Sequence, residues 1–125
     1  MRDRAFLVSE LIANPLPDPL VIEELACYSH TCERPLSQVT KSHVFAVLNS
    51  MEQGSLNASD VSAWASRLEG REDLAFEFGE EGVVREVVFW LANPDINWPV
   101  DACLRRRIEA LFERRKTPRN HICQK

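Results

Sequence analysis

Short apolar stripes of helical period, separated by Pro, Gly and Asn, run along the whole chain and divide it into about six segments. Phe6, Leu7, Leu11 and Ile12 recur at helical spacing and predict a helix from Asp3 to Ala13. Asn14-Pro15 ends it, because the residue before a proline is pushed out of the helical region. Asp18 is placed to cap a second helix with Pro19 in its first turn, running to about Tyr28 and burying some combination of Leu20, Ile22, Leu25 and Ala26. Ser29 to Gln38, with Pro35 inside it, reads as irregular. Thr40 or Ser42 caps a third helix through Met51, with Val44, Val47, Leu48 and Met51 on one face and Gly54 as its stop. Asn57 is the cap expected for a fourth helix, with Asp60 in its first turn near the positive end of the helix dipole. Val61, Trp64, Ala65 and Leu68 form its i, i+3, i+4, i+7 stripe, and Gly70 ends it.

Leu74, Phe76 and Phe78 alternate and suggest a short extended stretch. Glu80 and Glu81 then open a fifth helix whose core positions are Val84, Val87, Val88 and Leu91, with Phe89 or Trp90 turned outward or sideways. This stretch is rich in β-branched residues, so a strand is the alternative. Asn93-Pro94 closes it, and Asp95 to Pro99 is a turn-rich connector. A last helix from about Val100 to Arg115 buries Cys103 or Leu104, Ile108, Leu111 and Phe112. The sum is an all-α fold, a compact bundle of about six short helices in a single domain over residues 1–116, with a basic, frayed tail over 117–125.

A chain of 125 residues is long enough for one modest core. Its longest apolar run, Val87 to Ala92, is far short of the roughly 20 residues that span a bilayer. Glu10 interrupts the apolar N-terminal stretch and no small-residue cleavage site follows, so no signal peptide and no membrane partner are expected, and the expected location is cytoplasmic.

Charge changes the picture more than composition does. From Asp60 to Glu86 eight acids face only three bases, and from Asp101 onward eight bases face three acids. Solvated helix faces account for both as a matter of solubility. The sharper reading is that the acidic middle docks a cationic partner. Glu69, Glu72, Asp73, Glu77, Glu80 and Glu81 are then the candidate partner-binding residues, joined by Asp95 and the candidate interface aromatic Trp98 in the connector.

Candidate chemistry is thinner. Cys27, His30 and Cys32 lie close together, and His121, Cys123 and Cys103 supply further donors of the kind a tetrahedral zinc site uses. Against that, Cys27 and Cys103 read as small buried hydrophobes, and neither a metal nor a cofactor is expected. Cys32 beside His30 or His43 lacks a readable third orienting group, and Gly54, Gly70, Gly79 and Gly82 are too scattered for a phosphate loop. No catalytic residue is assigned and the chain is read as not an enzyme. Arg105-Arg106-Arg107 and Arg114-Arg115-Lys116 give the alternative: a small regulatory or nucleic-acid-associated helical protein that grips phosphates with its C-terminal arginines. Direct nucleic-acid binding is the weaker expectation because the chain as a whole carries a net charge of −4.

The stretch Gly54-Ser55-Leu56-Asn57-Ala58-Ser59-Asp60-Val61-Ser62-Ala63-Trp64-Ala65 resembles a pattern of small all-helical bacterial immunity proteins, those of colicin-type and contact-dependent toxins. The likeness continues loosely through Arg71-Glu72-Asp73 to Leu91-Ala92-Asn93-Pro94, about a third of the chain. The resemblance implies stoichiometric inhibition of a cognate toxin, often a nuclease, in the producer's cytosol. It transfers no binding residue, because such proteins diverge at their interfaces. Nuclease toxins present positive clefts to phosphate, and an acidic helical face complements such a surface.

Overall fold

Each predicted stripe becomes a helix, and side-chain caps start α2, α3 and α4, whereas α1 and α5 begin without one. The computed structural model describes residues 3–28 and 34–116, with side chains through Arg114. Among these residues the order is α1 (Arg4–Ala13), α2 (Pro19–Leu25), β1 (Ser37–Val39), α3 (Lys41–Glu52), α4 (Ala58–Leu68), β2 (Leu74–Phe76), α5 (Glu81–Ala92) and α6 (Ala102–Lys116). The fold is mostly helical. The expected tail, 117–125, lies outside the described residues.

Asn57 and Asp60 form a reciprocal capping box at the start of α4, with bonds of 2.8 and 3.0 Å. Asp18 accepts from the Leu20 N–H at 2.9 Å ahead of Pro19. The α3 box is unusual. Thr40 accepts from the His43 N–H, and His43 Nδ1 takes the place a Glu or Gln would hold, accepting from the Thr40 N–H at 3.0 Å.

The two strands are parallel, with Ser37 opposite Leu74 and Val39 opposite Phe76. Helices α3 and α4 form the crossover that a parallel pair requires. Bonds from the Leu36 N–H to the Asp73 carbonyl (2.8 Å) and from the Glu77 N–H to the Val39 carbonyl (2.9 Å) extend the pairing at both ends. The all-α reading is therefore incomplete. β2 falls in the stretch whose alternation suggested an extended segment, but β1 lies within the supposedly irregular Ser29–Gln38 and runs one residue past it.

The core is one cluster built around α4 and α5, the most extensively packed pair of elements. Trp64 is fully buried, and its indole N–H donates to the Ile12 carbonyl at 2.9 Å, tying α4 to the end of α1. Val61, Ala65 and Leu68 complete the expected stripe. α5 buries Val84, Val87, Val88 and Leu91 as expected, and Val83 with them. It is a helix despite its β-branched content, because that stripe has helical period and a large buried face to fill.

Other expectations need correction. α2 buries Val21 and Leu25, leaving Leu20 and Ile22 exposed. In α1 Val8 is buried and Phe6 is exposed. Cys27 and Cys103 are exposed free thiols rather than small buried hydrophobes.

Candidate functional site: an acidic and aromatic groove beside the short sheet

The turn after α4 carries Arg71-Glu72-Asp73 into β2, and its three residues have separate roles. Asp73 is completely buried, the only buried charged side chain among the described residues. Arg71 grips it with Nε and Nη2 at 2.9 and 2.8 Å, and Arg4 of α1 reaches it at 3.1 Å. Desolvation pushes the Asp73 pKa upward, but the bonds and charge of Arg71, then those of Arg4, outweigh it and hold the carboxyl below its ordinary range. Asp73 therefore ties the N-terminal helix to the sheet and cannot meet a partner, which corrects its assignment as a binding residue.

Glu77 is also structural. Its Oε1 accepts from the Lys41 N–H at 2.7 Å, satisfying a free donor in the first turn of α3. Its charge stands near His43, where it partly offsets the lowering of that imidazole's pKa by burial. Glu80 is half-buried at the α5 cap.

Glu69, Glu72 and Glu81 are exposed, and so is Glu86, which lies outside the predicted partner-binding set. Glu69, Glu72 and Glu86 line one depression of about 530 Å³, whose other walls include Phe76, Arg85 and Phe89. Arg71, Phe76 and Arg85 also line a neighbouring depression of about 450 Å³, which Phe78 and Glu81 border. The two form one groove along β2 and the outer face of α5. Arg85 lies over the Phe76 ring at 4.7 Å and forms the rib between them. Phe78 is 89% exposed. The apolar alternation of Leu74, Phe76 and Phe78 would have directed it inward, but the strand ends at Phe76 and the turn at Gly79 (φ +86°) carries the chain away first. Only glycine adopts that conformation without strain.

The connector residues stand elsewhere. Asp95 is exposed, but neither it nor Trp98 lines the groove. Trp98 packs edge-on against Trp90 at 5.1 Å between ring centroids, and Arg107 covers it at 4.4 Å. It is thus a half-buried packing residue and not a free interface aromatic.

Of the α6 arginines, Arg105, Arg106 and Arg107 contact this chain, Arg114 is exposed, and the Arg115 side chain lies outside the described residues. Arg105 bonds Glu109 at 2.8 Å and Asn49 at 2.8 Å, and pairs with Glu52 at 3.3 Å. Arg106 reaches the Cys103 sulfur at 3.4 Å. The zinc candidates His30, Cys32, His121 and Cys123 lie outside the described residues. Among the described residues no group of three or more His, Cys, Asp or Glu side chains is placed to hold a metal, and no helix is long and apolar enough to cross a membrane.

The chain matches no protein-family model, no curated protein and no solved structure.

Proposed function

We propose that this protein is a non-catalytic binding protein that engages a partner with a basic surface through the groove along β2 and α5. In its specific form, the partner is the toxic domain of a bacterial competition toxin, a nuclease by its charge, and the protein acts as its immunity protein in the producer's cytosol. The observation that carries the reading is Phe78, an almost fully exposed aromatic beside a groove edged by exposed carboxylates. Interface energy concentrates in aromatic anchors ringed by polar groups. Complementary charge raises the rate of encounter.

The acidic ring is Glu69, Glu72, Glu81 and Glu86, narrower than the six acids legible in the sequence. Arg85 and Arg71 within the groove add donors for a partner carboxylate or carbonyl, so the surface is amphoteric. The engaged state of Arg105 and Arg107 favours this reading over phosphate binding by α6.

Co-expression with a toxic domain encoded beside it tests the function. The protein should restore growth, and Phe78→Ala should abolish the rescue with Tm unchanged, because the side chain makes little contact with its own fold. Full rescue by Phe78→Ala would remove the groove as the interface. Failure of the unaltered protein to rescue would remove the immunity reading.

A further inference from the structure

The groove along β2 is bordered by main chain as well as by side chains. Among the described residues the sheet has only β1 and β2, so β2 keeps one edge that no strand covers. β1 packs against α1, where the Ser9 and Ser37 hydroxyl oxygens stand 3.4 Å apart. Asp73 turns its carbonyl toward β1, and Glu77 its N–H. Successive residues of an extended strand address opposite edges with their N–H and C=O groups. Ala75 therefore goes with Asp73 and Glu77, and the backbone groups of Leu74 and Phe76 address the other edge. No turn, loop or side chain among the described residues bonds them. Leu74 has its side chain in the core, yet Leu74, Ala75 and Phe76 all line the depression of about 450 Å³. That places the main chain of the strand on the groove wall. An unpaired strand edge is a template for another strand.

We propose that the edge of β2 takes up one extended, basic segment of the partner as a third strand, an inference that rests on the partner-binding reading of the groove. Charge selects the segment. Glu69, Glu72 and Glu86 line one depression beside Phe89, and Glu81 lines the other beside Phe78. Lys and Arg lay their apolar stems on such walls and carry their charge to the rim. The opposing cations are fewer: Arg71 is already paired with Asp73, and Arg85 lies over the Phe76 ring. Backbone bonds to the edge supply affinity in this mode, and the flanking depressions select the side chains.

The test is an NMR titration of the full chain with the synthetic peptide acetyl-Lys-Val-Lys-Val-Lys-amide, whose valines favour an extended backbone. Saturable binding is expected. In the complex the Phe76 amide should exchange with solvent at least about tenfold more slowly than in the free chain. The acidic peptide acetyl-Glu-Val-Glu-Val-Glu-amide should bind at least about tenfold more weakly. Only alternate residues of an added strand turn their N–H groups to β2. N-methylation of both valines and N-methylation of the central lysine should therefore differ, one weakening binding at least about tenfold and the other sparing it. No saturable binding, equal binding of the acidic peptide, unchanged Phe76 exchange in the complex, or equal effects of the two methylations would overturn the proposal. These outcomes are distinct from those of co-expression. Strand pairing without rescue would remove the immunity reading and leave the edge. Rescue that Phe78→Ala abolishes, with Phe76 unprotected by the peptide, would keep the groove and remove the strand.

Discussion

At the scale of single residues, two titratable groups govern how the fold responds to acid. The Asp73 carboxylate lies between Arg71 and Arg4, whose side chains still reach solvent at 18% and 16%. Removing one member of a buried ionic cluster leaves uncompensated charge, and because these arginines can partly rehydrate, Asp73→Asn should cost about 3 kcal/mol, read by urea unfolding. His43 is the second group. Its Nδ1 accepts from the Thr40 N–H, so the capping box requires the neutral ring, and burial lowers its pKa below the ordinary 6.5. Both groups shift in the same direction, so the signs add. Each binds its proton more weakly in the folded chain, and the unfolded chain takes up protons first as pH falls. The His43 contribution is fully present above about 6.5 and is lost as pH falls from there to the lowered folded value. The Asp73 contribution is present above the ordinary carboxylate range and is lost as pH falls through that range toward its depressed value. Tm should therefore decline in two stages on acidification. In His43→Gln, which retains an acceptor for the Thr40 N–H and cannot titrate, the first stage should vanish. A first stage of unchanged size in that variant would mean that another group carries it.

At the scale of elements, α5 and the short sheet show what local pattern does and does not specify. After Glu81, Gly82-Val83-Val84 opens α5 with residues of poor helical propensity, so burial of the valine stripe has to hold it. Gly82 sits in the first turn, exposed, without a positive φ and with open space where a Cβ would lie. Gly82→Ala should therefore stabilise the protein by about 0.5–1 kcal/mol through the backbone entropy of the unfolded chain, seen as a higher Tm with the groove intact. Helix positions were legible because caps and stripes are local: Asn57 with Asp60, Asp18 before Pro19, and Val61-Trp64-Leu68. β1 was not legible, because three residues carry too little period to register and their pairing with β2 is made across an intervening pair of helices. The distant partner of Asp73 was hidden for the same reason, since Arg4 stands 69 residues away, although Arg71 stands only two away. A run of acids shows charge but not which carboxylates turn inward, so Asp73 and Glu77 looked like surface while they were holding α1, the sheet and α3 together.

At the scale of the whole molecule, the separation of charge along the chain becomes a separation of roles. The acidic middle divides into buried or capping carboxylates and an exposed set around an aromatic groove, and the basic α6 spends Arg105 and Arg107 on its own surface. The central claim is that the exposed set, not the whole acidic run, steers a cationic partner. Stopped-flow association with the toxic domain proposed as its partner, at low ionic strength, tests this most directly, comparing the unaltered protein with a Glu69→Lys, Glu72→Lys, Glu86→Lys variant. These side chains are exposed, and the bonds that Glu69 accepts from Asn93 and Glu86 from Trp90 lie at the surface, so Tm should fall only slightly. Steering by charge changes association rates by about 10- to 1,000-fold, so the variant should associate at least about tenfold more slowly, with the difference shrinking as salt is added. Equal association rates at low salt in a variant that remains folded would contradict the account.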